Sequence, residues 1–320
     1  MPFFDLASLA KPLVTAPLAL HYLDLDTDRR AQLGFRDRQA PLTVRQLLSH
    51  SAALPPWLPY TGEPLAEQLR RGIPEGRHPL FRSGTQGLAV YSDLGYRLLA
   101  ELLELEQGRP FGLLGADATG LVSAPWPEAA QIIPDGPDAE AWSIAEPQLP
   151  LPPRAGNLPQ DANARAGMPG HAGFGCTPLQ MKAWLDRWAG SRVPARMAVE
   201  TARAADGTVW GLGLQRVFDG AWHFGQLLSR IPLGIRGTHV LASTTADLPE
   251  PLPSPKPGAG KPTAFWMHFG YTGPALFIRP EDGLCLALLL HRRGPQGELI
   301  DLDTLRARRW RMLEAFLAQF

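Results

Sequence analysis

Hydrophobic positions along this chain change period part-way. In the first two-thirds they recur at three- and four-residue spacing, which is one face of a helix. Val44, Leu47 and Leu48 predict a short helix opened by Thr43 as its cap. Leu94, Leu98, Leu99, Leu102 and Leu103 predict a longer helix over residues 92–107 that Gly108 ends. Residues 62–71 also read as a helix, as do residues 177–189, where Thr177 starts the helix and Pro178 sits in its first turn. Residues 8–23 read as a helix that Pro12 and Pro17 interrupt; Pro12 is tolerable near the start, and Pro17 should bend it. After residue 200 the pattern turns to strands, over 209–218, 263–269, 275–280 and 284–291, with Pro280-Glu281-Asp282-Gly283 turning between the last two. Leu305, Trp310, Leu313, Phe316, Leu317 and Phe320 return to helical spacing.

Helices in the middle, an antiparallel sheet at the end and a closing C-terminal helix make an α+β fold. The expected organisation is a sheet region from residues 1–29 and 201–320 and a mostly helical inserted region over 30–200. Residues 115–160, rich in Pro, Gly, Ala and Asp, are expected to be a long loop region with short strands, forming one wall of a cleft. Residues 249–262 read as an extended surface insert. No internal repeat is present.

Composition narrows the function by exclusion. The chain is 320 residues long, 45% hydrophobic and 19% charged, with a formal net charge of zero. That length supports a substantial core, and the charge balance offers no electrostatic footprint for nucleic acid. The one basic run, RARRWR (306–311), is expected to be a solvated helix face. Two cysteines, Cys176 and Cys285, are too few for a disulfide framework and lack metal-ligand spacing. No apolar run reaches 18 residues, so no membrane span is expected. No cofactor or metal is expected either.

Chemistry enters at Ser8-Leu9-Ala10-Lys11. Residues three apart share a helix face, so the Ser8 hydroxyl and the Lys11 amine can come within hydrogen-bond reach. A serine hydroxyl becomes a nucleophile when a neighbour takes its proton, and an amine held partly neutral can do that. A helix N-terminus would favour the neutral amine and stabilise an oxyanion. Lysine is scarce here, 4 residues against 27 arginines, and arginine cannot serve as a base. The tetrapeptide alone favours a capping serine and a solvated lysine on an N-terminal helix.

Five segments in order decide otherwise. FDLASLAKPLVTAPLAL resembles the nucleophile segment of the serine beta-lactamase and penicillin-recognising superfamily, in its class C beta-lactamase-like branch, which also holds esterases and peptidases. PLTVRQLLSHSAALPPW (41–57), YSDLGYRLLAELLE (91–104), DANARAGMPGHAGFGCTPLQMKAW (161–184) and HFGYTGPALFIRPEDGLCLALLLHRRGP (268–295) resemble later segments of that family. The resemblance runs from residue 3 to the C-terminus. It implies a beta-lactamase/transpeptidase-like fold, an antiparallel sheet flanked by helices with a mostly helical second region. Relatives carry an N-terminal helix and two strands ahead of the nucleophile, and this chain opens directly on that segment. A central strand is therefore expected to lose its neighbour, leaving an edge open to another chain. The compartment would be cytoplasmic if the start is complete, and extracytoplasmic if a signal peptide once preceded it.

By the same resemblance Ser8 is the nucleophile, and Lys11 and Tyr91 are the proton acceptors. A phenol with an ordinary pKa near 10 needs nearby positive charge to act as a base, which Lys11 would supply. Asp93 stands where many relatives have Asn; it can accept from Lys11 but cannot donate. His268-Phe269-Gly270 takes the place of Lys-Thr-Gly, which weakens recognition of a substrate carboxylate. Gly270 permits close approach of the acyl group, and the Tyr271 amide joins that of Ser8 as the oxyanion hole. His50 and His171 read as loop braces, Gly170 and Gly173 as turn formers near the cleft, and the Trp and Phe residues of 210–269 as either acyl-pocket walls or core. The expected activity is hydrolysis of a small ester or amide through an acyl-enzyme. A D-amino-acid peptidase, a beta-lactamase and a non-catalytic protein of the same fold remain alternatives.

Overall fold

The structure, a computed structural model, describes residues 2–35, 41–58, 65–71, 88–125, 161–165, 167, 169–219, 223–244, 249, 260–292 and 300–320. Its centre is a seven-stranded sheet. In chain order its strands are β4 (Ala202–Arg203), β5 (Val209–Trp210), β6 (Gln215–Phe218), β7 (Thr238–Ser243), β8 (Pro262–Phe269), β9 (Ala275–Arg279) and β10 (Leu284–Leu290). They lie side by side as β4-β5-β6-β8-β9-β10-β7. All pairings are antiparallel except β10 with β7, which is parallel. A small second sheet joins β1 (Phe4–Asp5), β3 (Phe174–Cys176) and β2 (Val122–Ser123) in that order.

Alternation along the strands builds two cores, one on each face of the sheet. Trp266, Leu276, Ile278, Cys285, Ala287 and Leu289 face Leu9, Leu13 and the helix Asp93–Gln107. Phe265, Met267, Phe277, Leu284, Leu286 and Leu288 face the helix His223–Leu228 and the C-terminal helix Leu302–Leu317. Covered on both sides, β10 is buried at every residue, which is why it reads as an uninterrupted apolar run.

Several expectations needed correction. The edge of β10 is not open, because β7, which the periodicity missed, pairs along it over six residues. The strand expected over 209–218 is broken into β5 and β6, because Gly213 (φ +91°) turns the chain between them. The helix Phe111–Thr119 runs into the start of the region 115–160 expected to be loop and short strands, and Gly120 ends it at φ +72°. Arg308 and Arg309 of the basic run are buried rather than solvated. The helix Asp93–Gln107 is capped by Ser92, whose hydroxyl accepts from the Leu94 amide at 3.2 Å; Asp93 is its first residue, freeing its carboxylate for other partners. Thr43 and Thr177 do cap their helices, each in a reciprocal capping box with Gln46 and Gln180. Residues 126–160 and 250–259 lie outside the described residues. No described helix is long and apolar enough to cross a membrane.

Candidate active site

Ser8 sits on an irregular segment, where an interrupted helix was expected over 8–23. A 3-10 turn over Ala7–Leu9 passes into a π-helical turn over Lys11–Thr15 and only then into the α-helix Ala16–Tyr22. The Ala16 amide reaches back to the Lys11 carbonyl, the five-residue bond of a π turn, and Pro12 sits at the start of that turn, where its missing amide costs little. Ala7, just before Ser8, adopts φ +44°, and its amide donates to the buried Asp5 carboxylate at 2.8 Å. A non-glycine residue in that region is strained, and this bond holds it there.

Lys11 is fully buried beneath Ser8. Its Nζ lies 2.9 Å from Ser8 Oγ, 3.1 Å from the His171 carbonyl and 2.7 Å from the Asp93 carboxylate. Three acceptors match the three hydrogens of an ammonium. Burial alone would push the Lys11 pKa down, but Asp93 and Tyr91 outweigh it, and the amine lies above its ordinary value. The expectation of a partly neutral Lys11 is thus reversed: the resting group is a held cation. Nζ also lies 5.1 Å from the Tyr91 ring centroid. Tyr91 is 36% exposed, its ring open to the cavity, but the packing around its hydroxyl raises the phenol above 10 against the pull of Lys11, with Asp93 adding to the rise, and the hydroxyl interacts with both Lys11 and Ser8.

The histidines divide as a brace and a wall. His171 Nε2 lies 2.9 Å from Asp161, whose carboxylate also accepts the Ala164 amide at 2.7 Å. Burial would raise the Asp161 pKa, but His171 and that amide hold it well below the ordinary carboxylate range. The loop is thereby fixed so that the His171 carbonyl meets Lys11. His50 accepts the Ser92 amide on Nδ1 at 3.1 Å and packs against Tyr91 and Trp210, with ring centroids 4.6 Å away in both cases. His268 pairs Nδ1 with the Gly213 carbonyl at 3.0 Å. Burial, then Lys11, lowers its pKa to about 3, so it is neutral at physiological pH. The proton is on Nδ1, since a carbonyl can only accept. Nε2 is therefore an acceptor, and it has no partner among the described residues.

These groups surround a cavity of about 710 Å³. Ser8, Tyr91, Asp93, His268, Gly270 and Tyr271 all line it, with Lys11 directly beneath. The structure thus brings every site residue expected from the sequence to one place. Of the Trp and Phe residues of 210–269, Trp210, Phe224 and Phe269 line it, and the structure adds Trp57 and the cations Arg306 and Arg309 of the C-terminal helix. Gly270 is required for a reason other than substrate approach: a Cβ there would meet Pro274 at 2.7 Å and the Leu6 carbonyl at 2.9 Å. Asp93, Asp161 and His171 present ligand atoms within 4.8 Å of one another, the spacing of a metal cluster. The Lys11 ammonium is already bonded among them and supplies the positive charge. Both cysteines are buried, and burial pushes the Cys285 thiol up to about 12.

The profile of the Beta-lactamase family matches residues 3–309. The chain belongs to the Beta-lactamase family. Solved structures agree on the fold. A class C beta-lactamase from Rhodobacter sphaeroides is 17% identical with a TM-score of 0.55, covering 99% of this chain and 86% of its own. D-amino acid amidase from Ochrobactrum anthropi SV3, solved with L-phenylalanine amide, is 16% identical with a TM-score of 0.58, covering 99% and 85%. SurE, solved with D-Leu, is 19% identical with a TM-score of 0.55, and this chain covers 64% of its length. No curated protein matches the sequence. These identities carry the beta-lactamase/transpeptidase-like α+β fold and nothing finer.

Proposed function

We propose that this Beta-lactamase family member is a serine hydrolase that cleaves a small ester or amide through an acyl-enzyme on Ser8. The observation that carries the reading is the fully engaged Lys11 ammonium, which donates to Ser8 Oγ while held by Asp93 and the His171 carbonyl. A buried cation is costly unless the surroundings are built for it. Its use here is to orient the hydroxyl and to stabilise a phenolate on Tyr91. Tyr91 in its deprotonated form takes the Ser8 proton as Oγ attacks the carbonyl carbon. It then gives that proton to the leaving oxygen or nitrogen as the carbonyl re-forms. Water enters by the same route: Tyr91 takes its proton, the hydroxide adds to the acyl carbon, and Ser8 Oγ recovers the proton as it departs. The Ser8 and Tyr271 amides face the developing oxyanion.

Esters are the first substrate class. His268 is neutral and offers a lone pair, so it repels rather than binds a substrate carboxylate. Arg306 and Arg309, the cations lining the cavity, are committed to Asp303 and to backbone carbonyls. A beta-lactam carboxylate therefore finds little to hold it. The unpartnered His268 Nε2, an acceptor facing the cavity, favours a second reading, an amide or peptide with an amine close to the scissile carbonyl.

Fluorophosphonate labelling of the wild type, Ser8→Ala and Lys11→Ala tests the reading. Labelling that vanishes in Ser8→Ala and drops at least tenfold in Lys11→Ala supports it. Turnover of p-nitrophenyl butyrate, D-phenylalanine p-nitroanilide and nitrocefin then ranks esterase, amidase and lactamase. A folded wild type that neither labels nor turns over any of the three is a non-catalytic protein.

A further inference from the structure

Arg309 projects from the C-terminal helix into the turn that follows β8. Its Nε donates to the Gly273 carbonyl at 2.8 Å, and its Nη2 donates to the Gly270 carbonyl at 2.7 Å and the Pro274 carbonyl at 3.2 Å. The guanidinium plane lies over the Phe269 ring, 4.6 Å from its centroid. One cation thus gathers three carbonyls of the five-residue turn from Gly270 to Pro274. That turn closes on itself as well, through Gly270 N–H to the Pro274 carbonyl at 2.8 Å. Its far side is fixed by Thr272, whose hydroxyl donates to the Asp5 carbonyl at 3.3 Å, and Asp5 is the residue that holds Ala7 next to Ser8.

The Gly270 carbonyl and the Tyr271 amide belong to one peptide plane. In a trans peptide the C=O and N–H point in opposite directions. Drawing the carbonyl toward the C-terminal helix turns the Tyr271 N–H away from it. A cation bonded to the oxygen also draws electron density from the nitrogen, which makes that N–H a stronger donor.

We propose that Arg309 is a positioning residue for the oxyanion hole: it sets the direction of the Tyr271 amide and polarises it through the Gly270 carbonyl. This rests on the Ser8 acyl-enzyme reading. It extends that reading with a residue that meets no reacting atom. A lysine cannot reproduce the effect, because an ammonium lacks the planar fork that spans Gly270 and Gly273 while stacking on Phe269.

The test uses Arg309→Lys, with Arg309→Gln as a second variant that keeps a neutral donor. Each is read by kcat and KM on the p-nitrophenyl ester and by inhibition with phenylboronic acid. That inhibitor adds the Ser8 oxygen to boron and places a tetrahedral oxygen where the oxyanion forms. Thermal melts establish folding. Loss of an oxyanion donor itself costs on the order of 100- to 1,000-fold in kcat; weakening one indirectly should cost about tenfold. The expected result is a folded Arg309→Lys enzyme with kcat down about tenfold, KM unchanged and the boronate constant weakened by the same factor. A folded variant with unchanged kcat, or with KM raised and boronate affinity intact, overturns the proposal. If both variants lose the fold, Arg309 is a structural staple and the proposal also falls. A wild type without Ser8 labelling overturns the acyl-enzyme reading itself and takes this proposal with it. An active wild type with an indifferent Arg309→Lys counts against Arg309 alone.

Discussion

The Lys11 ammonium and the Asp93 carboxylate lie 2.7 Å apart at the base of the cavity, one fully buried and the other on the first turn of its helix. An asparagine at that position would accept a bond from Lys11 without adding charge. The aspartate adds a full negative charge, and it raises both Lys11 and Tyr91. The site is therefore set so that its base form is scarce at neutral pH.

A pH profile follows from that charge. With Tyr91 above 10, the phenolate fraction should grow tenfold per pH unit through the neutral range. The kcat/KM for an ester should rise from pH 7 to at least pH 9. Asp93→Asn removes the charge that raises both groups, so its profile should move toward lower pH and exceed wild type near pH 7. Profiles that overlay within error would remove Asp93 from the proton chemistry.

A second profile concerns stability. In the folded chain His268 stays neutral down to about pH 3, against 6.5 when exposed. Between those values the unfolded chain binds a proton that the folded chain does not. Stability is full above pH 6.5 and is lost as pH falls. His50, also pushed well down by burial, acts in the same direction. Each group contributes up to about 1.4 kcal/mol per pH unit in that window. Urea melts between pH 7 and 5 should show the loss, and His268→Gln should flatten it. An unaltered slope in that variant would show that His268 protonates freely in the fold.

Ser8 and Lys11 were legible as a pair because three residues separate them on one helix face, whereas Tyr91, Asp93, His268, Gly270 and Tyr271 were expected only because their segments resemble family motifs; the fold gathers all seven at one cavity. What neither spacing nor motif marked was not legible. Arg309 lies on an amphipathic helix, and helical periodicity assigns an arginine to the solvent face. Only the fold shows that this face meets a turn whose Gly270, Gly273 and Pro274 carbonyls converge on the guanidinium. The segment Thr238–Ser243 has no strong alternation, and its parallel pairing with β10 depends on a neighbour far along the chain. Phe111–Thr119 contains two glycines, Gly112 and Gly115, which lower its helix propensity. Gly115 is needed there, since a Cβ would meet Phe174 at 2.4 Å and Val14 at 2.7 Å.

The placement of β7 depends on Arg279. This residue is 2% exposed; it pairs with Asp282, and its donors reach the Ile231, Pro232 and Ile235 carbonyls at 3.0, 2.9 and 3.0 Å. Those carbonyls belong to the segment that leads into β7. Arg279→Met leaves Asp282 and three carbonyls without their donor and should cost about 3–5 kcal/mol. Amide exchange should quicken along β7 and on the β10 edge it covers, while Ser8 labelling of the folded fraction is retained. Loss confined to labelling, with stability intact, would contradict this account.

Gly170 and Gly173 separate two reasons for a glycine. Both have positive φ, +113° and +98°. A Cβ on Gly170 would meet the Tyr96 carbonyl at 2.4 Å and Ala100 Cβ at 2.9 Å, whereas one on Gly173 finds its nearest neighbour at 3.6 Å. A backbone carbonyl inside a helix cannot step aside, so the loop must move. The Gly170 carbonyl accepts from Thr15 Oγ1 at 2.5 Å, and the next carbonyl, that of His171, is the third acceptor of Lys11. Gly173→Ala should cost only the backbone strain, about 1–3 kcal/mol, and leave kcat unchanged. Gly170→Ala should cost more than that and lower kcat with KM little altered, because Lys11 loses a fixed partner. Denaturant melts give the two stabilities and ester kinetics the two kcat values. Equal destabilisation would mean that the steric contact with Tyr96 relaxes freely. A full kcat in Gly170→Ala would mean that Lys11 needs only Ser8 and Asp93 to hold its position.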